Sequence, residues 1–88
     1  MGLTTEGFLR RLNAGKVVNC TYRNGKTVGL ISAWRHEGRF ILTWEECHED
    51  HVNAENLYTR DERHELATPE EVLAFVERNG HPASSFTP

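Results

Sequence analysis

Between Lys16 and Glu46 the chain alternates apolar and polar positions three times over, as KVVNCTYR, NGKTVGLISAW and RFILTWEE. A period of two marks half-buried strands, so the stretch predicts a three-stranded antiparallel meander. Arg23-Asn24-Gly25 and His36-Glu37-Gly38 separate the runs. Each suits a three-residue loop, a type I turn followed by glycine in the left-handed region; Asn24-Gly25 also fits a two-residue type I′ turn. Register decides, because a slip of one residue turns every side chain of a strand to the other face. Three-residue loops set Tyr22 opposite Lys26, Cys20 opposite Val28, Trp34 opposite Phe40 and Leu30 opposite Trp44. One face then gathers Val18, Cys20, Tyr22, Val28, Leu30, Ser32, Trp34, Phe40, Leu42 and Trp44. Burial is expected for Trp34, Phe40, Leu42 and Trp44. A two-residue first turn splits Val18, Cys20 and Tyr22 from Val28 and Leu30, which argues against it. The other face carries Val17, Ile31, Ala33 and Ile41 among polar neighbours. Either β-branched strand preference with cover from the C-terminal half or a partner surface accounts for that mixture, and Gly29 permits close backbone approach in both cases.

Helices are expected on either side. Thr4 or Thr5 caps a first helix that runs to about Ala14 and stops at Gly15, with Phe8, Leu9 and Leu12 as its apolar stripe. Thr68-Pro69-Glu70-Glu71 opens a second: threonine as N-cap, proline at the first helical position, and Glu71 completing a capping box. Val72, Leu73, Phe75 and Val76 form its buried stripe, and Asn79-Gly80 ends it before Pro82. Between meander and second helix lies an acidic stretch, EECHEDHVNAEN, read as a loop; LYTR or RHEL then offers a fourth strand. The fold class is therefore α+β, a three- to four-stranded antiparallel meander flanked by an N-terminal and a C-terminal helix. Residues 1–81 form a single domain, and 82–88 a frayed tail.

Composition sharpens this outline. Eighty-eight residues make one domain with a modest core. No apolar run approaches the ~20 residues of a membrane span, and the first residues lack a secretory pattern. Cys20 and Cys47 show no disulfide-framework spacing, so a cytoplasmic setting is expected. The net charge of −3 hides an asymmetry: residues 1–44 hold seven Lys/Arg against two Asp/Glu, and residues 45–88 three against eleven. Such opposed halves either neutralise each other in the fold or present an interaction surface.

Four kinds of chemistry compete for these residues. Glu45, Glu46, Glu49, Asp50, Glu55, Asp61, Glu62 and Glu65 crowd one region, and such a patch steers a basic protein partner; a solubilising acidic face explains them equally well. Arg23, Lys26, Arg35 and Arg39 at the hairpin ends offer a nucleic-acid alternative, although the aromatics that would stack bases point inward and the chain is acidic. Cys47, His48 and His51 offer a metal alternative, without any paired CxxC or helical HExxH. Catalysis has no Gly-rich phosphate loop and no nucleophile elbow to rest on. The chain therefore reads as a non-enzymatic binding protein, with no catalytic residues and no cofactor.

A short helix, the meander TYRNGKTVGLISAWRHEGRFILTWEE, an acidic stretch and the closing LATPEEVLAFVER helix together resemble small immunity proteins of bacterial polymorphic or contact-dependent toxin systems. The resemblance implies a cytosolic protein that binds one toxin domain, such as a basic nuclease, and blocks it. It carries no individual binding residues with it.

Overall fold

A computed structural model of the chain describes residues 2–51 and 59–88. Helix α1 (Thr5–Asn13) leads into strands β1 (Val18–Asn24), β2 (Thr27–His36) and β3 (Arg39–His48); a 3-10 turn follows (Glu49–His51), then strand β4 (Arg60–Leu66) and helix α2 (Pro69–Arg78). The four strands form one antiparallel sheet in chain order, β1-β2-β3-β4. The expected α+β meander between two helices is thus the fold. Its fourth strand contains RHEL; LYTR reaches back into residues 52–58, outside the described ones.

Both helix starts follow their local signals. Thr4 Oγ1 accepts from the Gly7 amide and Thr68 Oγ1 from the Glu71 amide. Glu71 reaches back to the amide of Ala67, one residue before the cap. Both helices end alike. Gly15 and Gly80 take left-handed φ of 79° and 88°. The amide after each glycine bonds five residues back, Lys16 to Arg11 and His81 to Val76, while the glycine amides bond Leu12 and Glu77. These are Schellman closures, and they set the direction in which the chain leaves each helix.

The register differs from the expected one. Asn24 pairs with Thr27 and His36 with Arg39, so both loops hold two residues, Gly25-Lys26 and Glu37-Gly38. Glu37 and Gly38 both have positive φ, 52° and 78°, which is the type I′ pattern; in the first turn Gly25, at 64°, takes the leading position as in type II′. Primed turns match the right-handed twist of paired strands, a gain that outweighs the uncommon left-handed glutamate. The first pairing moves by three residues, Tyr22 meeting Gly29 in place of Lys26, and the second by one, Trp34 meeting Ile41 in place of Phe40; both shifts are odd, so β1 and β3 keep a common face and β2 is inverted. The inner face therefore carries Ile31 and Ala33 in place of Leu30, Ser32 and Trp34. Trp34 lies opposite Ile41 on the outer face and is only partly buried, whereas Trp44 is 4% exposed. The expectation that these two tryptophans share one buried layer is overturned. Phe40 and Leu42 are buried as expected.

Across the inner face run four rows: Val18-Ala33-Leu42-His64, Cys20-Ile31-Trp44-Glu62 and Tyr22-Gly29-Glu46-Arg60, with Arg35-Phe40-Leu66 at the far end. The helices cover its apolar part. Phe8 and Leu12 of α1, Val72, Leu73 and Val76 of α2, and the sheet residues form one cluster. The chain after α2 belongs to this core. Phe86 is fully buried and meets Phe8 edge to face at 5.1 Å. Ala83–Ser85 form a 3-10 turn, and Thr87 exchanges two backbone hydrogen bonds with Asn19 on the outer edge of β1. Residues 82–88 are a docked strap, in contrast to the frayed tail expected from their prolines and serines. No helix among the described residues is long and apolar enough to cross a membrane.

Trp44→Ala is expected to lower the unfolding free energy by about 3–5 kcal/mol in urea titrations, and Trp34→Ala by less than about half of that. Equal losses would mean that both rings belong to the core.

Candidate functional site

At the end of the inner face beyond the helices, the rows turn polar. Tyr22 comes from β1, Trp44 and Glu46 from β3, and Arg60, Glu62 and His64 from β4. Gly29 makes room: a Cβ there would sit 2.2 Å from the Tyr22 ring. The ring crosses β2 at that point. Its hydroxyl accepts from the Trp44 indole nitrogen at 2.7 Å and donates to the Glu46 carboxylate. Arg60 lies over the Trp44 ring at 4.2 Å, with its Nε 3.4 Å from Glu46 and 3.1 Å from Glu62. Glu62 in turn holds His64 Nε2 at 2.8 Å, and the His64 ring lies 4.7 Å from Phe75 of α2. The second Schellman closure delivers His81 to the same place, 4.7 Å from the Tyr22 ring and 5.3 Å from that of Trp44.

Burial and the Glu46 carboxylate push the Tyr22 hydroxyl up to about 12, against smaller opposing effects from Trp44 and Arg60. It therefore stays protonated and remains a donor at neutral pH. Burial lowers the pKa of His81; Glu46 works against that shift and Arg60 with it. Burial also raises the pKa of the Cys20 thiol, which sits in the core as a small apolar group. Each carboxylate of the cluster has two partners inside it: Tyr22 and Arg60 for Glu46, Arg60 and His64 for Glu62. The cluster spends its bonding capacity within the fold. It clasps β1, β3, β4 and the exit of α2 together.

The outer face is different. Among the described residues no helix covers it. Leu30 is 37% exposed there, Val28 and Trp34 are half-buried, and Ile41 is buried between Trp34 and Glu65. Thr21, Arg23, Val28, Leu30, Glu45 and Cys47 line a shallow hollow of about 590 Å³ across β1, β2 and β3. Glu45 and Asp61 face each other directly on β3 and β4. Neither has an ion pair or side-chain hydrogen bond among the described residues. Arg63, two residues along β4, lies opposite Thr43 and makes no ion pair there either.

The acidic residues singled out in the sequence thus divide. Glu45, Asp61 and Glu65 share the outer face; Glu46 and Glu62 belong to the clasp. Glu49 pairs with Arg23, and the Asp50 amide donates to His48 Nδ1. Glu55 lies outside the described residues. The basic residues divide too. Arg23 is held by Glu49, Lys26 sits in the first turn, Arg39 opens β3 on the outer face, and Arg35 on the inner face donates to the Asn13 carbonyl at 2.6 Å. Cys47 and His48 are consecutive on β3 and point to opposite faces, which separates two of the three residues weighed as metal ligands. The side chain of His51 lies outside the described residues. Among those described, no three His, Cys, Asp or Glu side chains converge to hold an ion. Sequence reasoning did not find the clasp. The available signal was Gly29 in mid-strand facing Tyr22, together with the alternation of Arg60, Glu62, His64 and Leu66.

No protein-family model, curated protein or solved structure matches the chain.

Two outcomes follow from the clasp. Tyr22→Phe leaves the buried indole N–H of Trp44 without its acceptor and is expected to cost about 1–3 kcal/mol in urea titrations. A depressed histidine pKa means that the unfolded chain binds the proton first. The contribution of His81 is therefore full above the ordinary histidine value of 6.5 and is lost as pH falls below it. His81→Phe keeps a ring in place and should flatten the fall of Tm under acid; an unchanged slope would remove His81 from the account.

Proposed function

We propose that the chain is a non-enzymatic protein-binding domain of the immunity or inhibitor kind, docking a basic partner, such as a toxin nuclease, on the outer face of its sheet. The observation that carries this reading is the cross-strand pair Glu45 and Asp61. Like charges directly opposed on neighbouring strands destabilise a sheet. Here, among the described residues, they stand without a partner cation, beside exposed Leu30 and the hollow. A cation from outside relieves that repulsion, and an apolar side chain over Val28 and Leu30 supplies the contact area. An apolar centre bordered by charge is the usual make-up of a specific interface. The acidic surface expected between residues 45 and 65 is narrowed to the carboxylates on this face, because Glu46, Glu49 and Glu62 are already engaged within the chain. The likeness of the chain's layout to immunity proteins points the same way.

The test is association with the product of the adjacent reading frame. Glu45→Lys with Asp61→Lys should slow association by about tenfold and flatten its salt dependence. Leu30→Asp should mainly speed dissociation. Wild-type rates in both variants would remove this face from the interaction.

A further inference from the structure

We propose that the partner adds an extended segment to the outer edge of β1 at Thr21 and Arg23; this rests on the docking face just described and specifies how it is used. The two edges of the sheet are not alike. β4 carries a charged or titratable side chain at each of its first six positions, Arg60 to Glu65, a composition that discourages strand addition. On β1 the edge is closed piece by piece. The Val17 carbonyl accepts from the Arg11 guanidinium at 3.0 and 3.2 Å. Asn19 gives both its backbone groups to Thr87. Because Asn19 bonds outward, alternation along an antiparallel strand turns the N–H and C=O of Thr21 and Arg23 outward as well, while Cys20, Tyr22 and Asn24 bond inward to β2. Among the described residues nothing meets the outward groups of Thr21 and Arg23. The cover supplied by the C-terminal strap stops one pair short.

The same two residues form one wall of the hollow. Arg23 adds no guard charge at the edge, because Glu49 draws its guanidinium across the outer face. A strand laid against Thr21 would stand roughly 10 Å from β2, two strand spacings away. Threonine is short, so a large apolar side chain opposite it crosses over to Leu30. The partner's body then continues over the same face toward Glu45 and Asp61. The occupant is an extended protein segment with a large apolar residue at the position facing Thr21, held by main-chain bonds and selected by the hollow.

Short linear peptides displayed on phage and selected against the full chain provide the probe. Recovered peptides should hold a large apolar residue at a fixed position, and should protect the Thr21 and Arg23 amides from hydrogen exchange. Thr21→Pro deletes an outward N–H at an edge position that tolerates proline. It should weaken the peptides by at least about tenfold, the worth of one to two backbone hydrogen bonds. Should that variant fail to melt cooperatively, Arg23→Pro asks the same question at the next outward residue. Leu30→Asp separates the two proposals. Binding lost with Leu30→Asp but unchanged with Thr21→Pro overturns strand addition and leaves the docking face standing; binding unchanged in both overturns both. A dimer of the free chain that Thr21→Pro dissociates would give the edge to a second copy, and so overturns the peptide as occupant.

Discussion

The Tyr22 ring occupies the space that a side chain at residue 29 would need, and this exchange of a ring for a missing Cβ holds the sheet in register. Only glycine lets an aromatic ring on β1 cross β2 and reach β3. Once across, the hydroxyl is fixed between the Trp44 indole and the Glu46 carboxylate. A slip by one residue would set Tyr22 against Val28 or Leu30 and break both bonds. The two-residue Gly25-Lys26 turn and the Tyr22–Gly29 pair, two positions along from it, thus specify the same register of the β1-β2 hairpin, one by backbone conformation and the other by side-chain fit. Agreement between local and long-range preferences is what separates one native arrangement from its near competitors.

From that pair the polar end of the inner face follows. Glu46 lies opposite Gly29 and Arg60 opposite Glu46, so tyrosine, carboxylate and guanidinium come into one row by register alone. Arg60 covers Trp44 with a cation where the helices stop, and His81 closes the other side. The charged and titratable members Glu46, Arg60, Glu62 and His64 are between 23% and 37% exposed, which limits the worth of each ion pair. Their larger effect is geometric. They tie the last strand and the exit of α2 to β1, which shares no direct pairing with β4.

The amphipathic helices, their caps and their glycine stops were legible because each depends on a few neighbouring residues. Thr68, Pro69 and Glu71 announce α2 without reference to anything distant. Strand identity was legible from alternation, and the α+β class with it. Strand facing was not. It turned on whether Glu37 accepts a left-handed conformation, and on the gain from pairing Tyr22 with Gly29, which is visible only once β1 and β2 are aligned. Counting apolar residues favoured Trp34, Leu30 and Val28 as core. The fold instead places Ile31 and Ala33 inside, where smaller side chains fit beneath α1 and α2. The C-terminal strap is hidden in the sequence for a related reason: its prolines and serines suggest loose chain, but Phe86 finds a partner in Phe8, 78 positions away. The clasp was hidden because its members come from three strands and the end of a helix.

The outward facing of Trp34 and Leu30 bears directly on function. Had Trp34 and Leu30 been core, the outer face would have been a polar surface with scattered β-branched residues, and no binding site would be needed to explain it. With the facing reversed, a small domain leaves Leu30 and part of Trp34 outside while Ala33 and Gly29 take positions within. Exposed apolar residues taken singly are ordinary. Here they share one face with a hollow and two opposed carboxylates, and that face meets a stretch of sheet edge that, among the described residues, has neither cover nor guard charge. Stability alone would favour a cation between Glu45 and Asp61 and a closed edge at Thr21. Binding to an outside partner gives a single reason for both departures.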